Sequence, residues 1–159
     1  MIRSIQSGFT LVELVMTLVL ASLLAVSARA LFLDQSSVTP MLVEDQLISS
    51  TRLAQQAALA RSDSAAALTI SQQGTGYRFT LIDGAHTSVR DVPGDGTTLT
   101  WSTGSLAGSC SPVTGTLPRT LSFNRNGDTT PIRFCISGRE TRPVCVSALG
   151  FAYAGNCDT

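Results

Sequence analysis

The sequence is short of the residues that most catalytic and metal sites require. Its 159 residues contain no lysine and a single histidine, His86, and eleven arginines balance eleven acidic residues. A chain without net charge has no overall attraction for nucleic acid or for an acidic partner. No C-x-x-C pair and no Ser/His/Asp or Cys/His arrangement is recognisable. We therefore predict no metal site, no cofactor and no enzymatic activity.

What the sequence does have is a long apolar segment near its N-terminus. No charged residue falls between Leu14 and Ala28, and the apolar flanks extend this segment to the length of a bilayer-spanning helix. Arg3 precedes it, and positive charge ahead of a span favours a cytoplasmic N-terminus. We predict a transmembrane or filament-core helix over residues 9–33, in the inner membrane, and a periplasmic domain over residues 34–159.

Glu13 distinguishes three interpretations of this segment. A plain signal anchor leaves Glu13 unexplained, because an unpaired charge inside an apolar helix costs on the order of 3 kcal/mol. A secretory signal cut at Ala28-Arg29-Ala30 has too long an apolar region, which Glu13 interrupts. In the third interpretation, G-F-T-L-V-E-L at positions 8–14 resembles the class III signal of type IV prepilins. That interpretation accounts for all of these features.

The resemblance implies a processing route. Prepilin peptidase cuts such precursors after the glycine, methylates the new N-terminal phenylalanine and leaves the apolar helix attached. Here the cut falls between Gly8 and Phe9, so residues 1–8 are the leader peptide and Glu13 is the fifth residue of the mature chain. Glu13 can then neutralise the amine of a neighbouring subunit's Phe9, because an unpaired charge is costly among packed apolar helices. The implied partners are the peptidase and other pilin or pseudopilin subunits.

Beyond the anchor, the hydrophobic pattern predicts one helix and then a sheet. Residues 35–40 form a polar break, and a helix over 41–61 carries its apolar residues on one face. That face consists of Val43, Leu47, Ile48, Ala54 and Ala58. Strands are predicted at 66–72, 76–82, 87–92, 97–103, 119–124, 131–137, 143–148 and 151–154, and Asn126-Gly127 favours a type I′ hairpin. The predicted fold class is α+β, with an N-terminal helix followed by an antiparallel sheet domain.

Three later segments carry a second resemblance. They are Q-L-I-S-S-T-R-L-A-Q-Q-A-A-L-A-R (46–61), L-S-F-N-R-N-G-D (121–128) and V-C-V-S-A-L-G-F (144–151). They resemble GspH/FimT-like minor pilins and pseudopilins, and the closing G-F-A-Y is also similar to minor pilins of the mannose-sensitive haemagglutinin pilus. The resemblance implies a minor subunit that primes or enters a type IV pilus or a type II secretion pseudopilus. A tip adhesin or a DNA-uptake receptor is the alternative.

Two ligand hypotheses have weaker support in the sequence. FimT-like pilins that capture DNA carry G-R-x-R after the closing hairpin, where this chain has Gly150-Phe151-Ala152-Tyr153. A basic face of alternating strand residues is the remaining route to DNA binding, although we favour a solvated sheet surface. Its members are Arg119, Arg125, Arg133, Arg139 and Arg142. The acidic and amide residues are interpreted as turn residues rather than calcium ligands: Asp83, Asp91, Asp95, Asn124, Asn126 and Asp128.

The four cysteines predict two disulfides in an exported domain. They are Cys110, Cys135, Cys145 and Cys157. Alternation places Cys135 and Cys145 on the same non-core side of adjacent strands, and four cysteines allow three connectivities. Directly opposed strand positions hold their Cβ atoms slightly too far apart for an unstrained bridge. We favour Cys145–Cys157 with Cys110–Cys135, because the tail after Gly150 can fold back, and the other two connectivities stay open.

Overall fold

A computed structural model describes residues 10–32, 35–60, 65–103, 110 and 113–157, with the backbone alone described for 27–32 and 35–37. The chain divides into two units, residues 1–35 and 36–159. Helix α1 (Leu11–Phe32) belongs to the first unit, and nearly all of helix α2 (Gln35–Ala60) belongs to the second. The second unit also contains all the described strands.

The strands form two antiparallel sheets. In chain order they are β1 (Ala66–Gln73), β2 (Gly76–Asp83), β3 (His86–Val92), β4 (Thr98–Ser102), β5 (Gly115–Thr116), β6 (Arg119–Phe123), β7 (Ile132–Ser137), β8 (Thr141–Val146) and β9 (Ala152–Ala154). One sheet has the order β3-β2-β1-β6 and the other β5-β4-β7-β8-β9. The predicted α+β class, a helix followed by antiparallel sheet, is confirmed. Only β5, which is two residues long, has no counterpart among the predicted strands.

The turn after β6 differs from the predicted hairpin. β6 pairs with β1, whereas β7 pairs with β4 and β8, so the chain crosses from one sheet to the other. A type I′ turn needs positive φ at both central residues, but here Gly127 has φ 79° and no described non-glycine residue has positive φ. Instead, Asn124 Oδ1 accepts hydrogen bonds from the backbone N–H groups of Asn126 and Asp128, at 2.8 and 2.9 Å. The type I′ prediction is wrong.

Helix α2 begins six residues earlier than predicted. It starts at Gln35 and contains Pro40, so the predicted polar break at 35–40 is helical. Pro40 is the sixth residue of α2 and lies beyond the first turn, whose N–H groups have no helical partners, so it removes one backbone hydrogen bond of the helix. Both Thr39 and Pro40 are buried. Pro40 packs closely on Gly138, because a Cβ added at Gly138 would lie 2.8 Å from Pro40 Cγ. Tertiary packing of Thr39 and Pro40 therefore outweighs the local cost of the proline.

The core of the second unit contains the inner face of α2 and the inward-facing residues of both sheets. The predicted apolar stripe is buried, with Val43, Leu47, Ala54 and Ala58 fully enclosed and Ile48 partly so. The sheets contribute fully or nearly fully buried side chains, among them Leu68, Ile70, Phe79, Leu121, Phe123, Ile132, Phe134 and Ile136. Each Å² of apolar area buried in this core contributes about 25 cal/mol to stability. The packing of α2 with the two sheets is therefore the main stabilising force of the second unit.

Candidate assembly site

Helix α1 presents an apolar surface that its own unit does not cover. Every side chain from Leu11 to Val26 is exposed, and Leu11 is 80% and Leu24 71% accessible. A continuous exposed apolar surface of this kind marks a contact with a protein or a membrane. Within the described ranges, no helix combines the length and the apolarity needed to cross a membrane. The transmembrane span over residues 9–33 stays a prediction.

Glu13 lies in the first turn of α1. Its backbone N–H donates to Thr10 Oγ1 at 3.3 Å, and its side chain is exposed. A carboxylate in the first turn of a helix is favoured by the helix dipole, and here it remains accessible to another molecule. Gly8 and Phe9, the predicted processing residues, lie outside the described residues.

The C-terminal half of α2 binds the turn between β8 and β9. Arg52 Nε and Nη2 donate to the carbonyl of Ala152 at 3.3 and 3.2 Å, and Gln55 Nε2 donates to the carbonyl of Leu149 at 2.7 Å. The partners are about 100 residues apart in the chain. No local pattern in the sequence points to these bonds, and the sequence analysis missed them.

The N-terminal half of α2 is held to β8 by an ion pair. The Arg142 guanidinium donates through Nε to Glu44 Oε2, and the Glu44 side chain is only 8% exposed. The hydrogen bond to Glu44 raises the pKa of Arg142 above its ordinary value. The pair therefore stabilises the attachment of the helix to the second sheet.

The five arginines considered for a basic face have different environments. Arg119 stacks over the Trp101 ring, 4.4 Å from its centroid, and Arg142 is paired with Glu44. Arg133 is fully buried, which contradicts a solvated sheet surface at that position. Both faces of β7 are buried, so its alternation does not separate a core side from a solvent side. Arg125 and Arg139 are exposed.

Two disulfides fasten the second sheet. They join Cys110 to Cys135 and Cys145 to Cys157, which is the connectivity that the sequence analysis favoured. Part of the reason given for it was wrong, because Cys145 lies opposite Arg133 rather than Cys135. Cys135 and Cys145 are also buried, although they lie on the face turned away from the main core. Cys157 and Tyr153 pack around Cys145 and form a small second cluster there.

The predicted turn residues have different environments. Asn124 Nδ2 donates to Asp128 Oδ2 at 3.1 Å, so this pair stabilises its own turn. Asp91 is not a turn residue: it lies in β3 and accepts hydrogen bonds from Arg78 at 2.8 and 2.9 Å, which lower the pKa of Asp91. In the described part of the chain, no three His, Cys, Asp or Glu side chains are close enough together to hold a metal ion.

Comparison with known families places a motif on the N-terminal segment. The prokaryotic N-terminal methylation motif matches residues 3–28, a range that contains Gly8, Phe9 and Glu13. The motif supports a type IV pilin-like protein. It implies membrane-anchored processing by prepilin peptidase and assembly with other pilin subunits, which are structural proteins rather than enzymes. Neither the curated proteins nor the solved structures gave a match to this chain.

Proposed function

We propose that this chain is a minor pilin or pseudopilin of the GspH/FimT-like group. Prepilin peptidase cleaves it between Gly8 and Phe9 and methylates Phe9, and the product primes or enters a type IV pilus or a type II secretion pseudopilus. The observation that carries this proposal is the methylation motif over residues 3–28, which overlaps a helix with an exposed apolar surface. Such a helix needs a bilayer before assembly and neighbouring helices after it.

The separate second unit fits a subunit of a filament. Its helix is tied to the second sheet by the Glu44–Arg142 ion pair and by the Gln55–Leu149 hydrogen bond, and two disulfides fasten that sheet. Disulfides are favoured in the periplasm and outside the cell. We infer that this unit is periplasmic while residues 9–33 hold the chain in the inner membrane. We prefer this role to a DNA-uptake receptor, because the five arginines do not form one basic face.

The substitution Gly8→Val tests the processing step. The wild-type chain is expected to yield a mature protein that begins at Phe9 and carries one added methyl group. Gly8→Val should leave a full-length precursor in the membrane fraction, because the peptidase recognises the glycine before the scissile bond. Intact-mass analysis of the isolated protein gives the result. Ser7→Val is the matched control and should be processed normally, whereas a wild-type N-terminus at Leu31 would contradict the proposal.

The carboxylate of Glu13 is expected to act after cleavage. In Glu13→Gln the mature N-terminus should still form, but incorporation into fibres should fall about tenfold or more. The physical reason is that the amine of a neighbour's Phe9 would lose its counter-charge in an apolar environment, and each 1.4 kcal/mol lost is a tenfold effect. Quantitative immunoblots of sheared fibres measure incorporation. Glu13→Asp keeps the charge and should retain more incorporation than Glu13→Gln; equal incorporation of Glu13→Gln and wild type would show that the carboxylate is not used.

A further inference from the structure

The first sheet ends at a strand whose outer side has no neighbour. β3 is the terminal strand in the order β3-β2-β1-β6, and among the described strands only β2 pairs with it. The pairing has no bulge and runs over seven residue pairs, from Asp83 opposite His86 to Tyr77 opposite Val92. A terminal strand presents unpaired backbone N–H and C=O groups, which can bind a strand of another chain.

The β2–β3 turn determines which backbone groups of β3 are unpaired. Only Gly84 and Ala85 separate the two strands, so Asp83 and His86 form a hydrogen-bonded pair. In an antiparallel ladder, every second residue from such a pair bonds in the same direction, and the residues between them point the other way. We call the residues of β3 whose backbone groups point away from β2 the open edge: Thr87, Val89 and Asp91.

The other terminal strands are short or partly covered by the chain itself. On β6, the carbonyl of Ser122 accepts a hydrogen bond from Thr129 Oγ1 at 2.9 Å. β9 is three residues long, and its Ala152 carbonyl accepts a hydrogen bond from Arg52 at 3.2 Å. β5 has only two residues. Among the terminal strands that the structure describes, β3 alone combines seven residues with outward groups that no described residue binds.

The side chains at the open edge favour an apolar residue in an incoming strand. Val89 is 48% accessible. Ile82 is its diagonal neighbour on the same face of the sheet and is 44% accessible. A partner residue opposite Val89 would extend this apolar strip by one strand and cover Val89, so burial of apolar area would stabilise the pairing.

The charge beside the open edge is positive. Asp91 accepts hydrogen bonds from Arg78 at 2.8 and 2.9 Å, so its charge is compensated within the sheet. Arg90 is exposed and, within the described ranges, has no ion-pair partner. Arg90 lies on the opposite face from Val89, because side chains alternate along a strand. An incoming strand that fits this edge therefore carries a carboxylate next to the residue that covers Val89.

The symmetry of the contact distinguishes a different subunit from a second copy. If two copies joined through the open edge, the same surface would be used on both sides. Such a contact is isologous and closes after two subunits. A filament grows through contacts that do not close, so β3 paired with β3 does not fit a filament subunit.

We propose that the open edge binds an extended segment of a different pilin-type subunit, which adds a strand to the first sheet. Backbone hydrogen bonds to Thr87, Val89 and Asp91 hold the segment, and its apolar and acidic side chains match Val89 and Arg90. The inference rests on the proposed function, because it names the contact through which a minor subunit recognises its neighbour.

Photo-crosslinking in cells that assemble the filament tests the pairing. The full-length chain carries a photo-reactive phenylalanine analogue at Thr87, Val89 or Asp91, and mass spectrometry identifies the cross-linked peptides. These three side chains share one face, so the linked residue of the partner should shift by two residues from each position to the next. The analogue at Thr120, on the same face at the opposite end of the sheet, is the matched control and should not give this series.

The identity of the linked peptide gives the result. The expected series lies in a peptide of another subunit that carries the N-terminal methylation motif. A series in a peptide of this chain would show a second copy at the open edge and overturns the proposal. Links without the two-residue step, or no links, show that no strand is added there and overturn it as well.

Val89→Pro tests the backbone hydrogen bonds. The Val89 N–H points away from β2, so proline removes a donor of the open edge and no bond within the sheet. With the analogue at Thr87, cross-linking to the partner should fall about tenfold, while thermal unfolding stays close to that of the wild type. Val89→Ala keeps the N–H and should retain more of the product. Equal cross-linking by the two variants contradicts strand addition.

Arg90→Glu tests the charge match without altering the backbone. Cross-linking from Val89 should fall about threefold or more, because like charges would face each other across the new strand pair. Arg125→Glu replaces another exposed arginine, on the β6–β7 turn, and should leave the product unchanged. Unchanged cross-linking in Arg90→Glu contradicts the acidic partner segment.

Failure of this inference is distinguishable from failure of the proposed function. The mature N-terminus and the presence of the chain in sheared fibres are measured in the same samples. A chain that begins at Phe9 and enters fibres, but gives no two-residue series, retains the proposed function and loses the strand contact. A chain that is never processed refutes both.

Discussion

Gly150→Ala is expected to destabilise the globular unit by about 3 kcal/mol or more. Gly150 has φ 81°, a conformation that costs an L-residue with a Cβ roughly 1–2 kcal/mol. The larger cost is steric, because the new Cβ would lie 2.1 Å from the carbonyl oxygen of Gly127 and 3.1 Å from the Gln55 amide nitrogen. Neither turn can retreat freely, since Gln55 holds one and Thr129 links the two.

Gly74→Ala is the matched control for this substitution. Gly74 has φ 58°, but nothing lies within 4 Å of an added Cβ, so only the conformational cost of roughly 1–2 kcal/mol applies. Thermal unfolding of the full-length variants in detergent, followed by circular dichroism, gives the comparison. Equal losses in the two variants would show that the contact between the turns contributes nothing.

The parts of the fold that depend on local pattern could be predicted from the sequence. The stripe from Val43 to Ala58 repeats with the helical period, and β1 and β2 alternate with a period of two, so the sequence of these elements indicates which side faces the core. β5 could not be found in this way, because two residues carry no period. Residues 35–40 were assigned to a break because their local pattern is polar. The packing of Pro40 on Gly138 joins residues that are distant in the chain, so no local pattern predicts it.

The pairing of elements could not be predicted in the same way. Asn126-Gly127 has the composition of a hairpin turn, but the strands on either side belong to different sheets, since β1 and β4 provide their partners. Arg133 was assigned to a solvated face because its neighbours Ile132 and Phe134 face the core. Its cross-strand neighbours Ser102 and Cys145 are buried too, so this face of the second sheet is covered around Arg133.

The residues of interest for assembly also differ in whether the sequence alone identifies them. The methylation motif is linear, so Gly8, Phe9 and Glu13 could be identified without any knowledge of the fold. The exposed apolar residues of the second unit could not, because exposure of an apolar residue depends on what the rest of the chain leaves uncovered. Leu149 lies in a turn that has no periodic pattern, and only tertiary structure shows that it is 62% accessible.

Arg142→Leu is expected to cost about 3 kcal/mol, because it leaves the carboxylate of Glu44 nearly enclosed without its partner. The figure lies at the lower end for buried pairs, since the Arg142 side chain is 31% exposed and water can reach part of the site. Glu44→Met combined with Arg142→Leu should recover much of the lost stability, because an apolar pair has no charge to desolvate. Such recovery separates the cost of an orphaned carboxylate from simple loss of packing.

Arg78→Leu provides the comparison for that measurement. It removes one partner of the Arg78–Asp91 pair, whose side chains are 40% and 56% exposed, so solvent replaces the lost contact and the effect on unfolding should be small. Thermal unfolding of all four full-length proteins at one ionic strength gives the result. If Arg142→Leu is no more destabilising than Arg78→Leu, the Glu44–Arg142 pair does not hold α2 to the second sheet. If the double variant is as unstable as Arg142→Leu, the loss comes from packing and not from an unpaired charge.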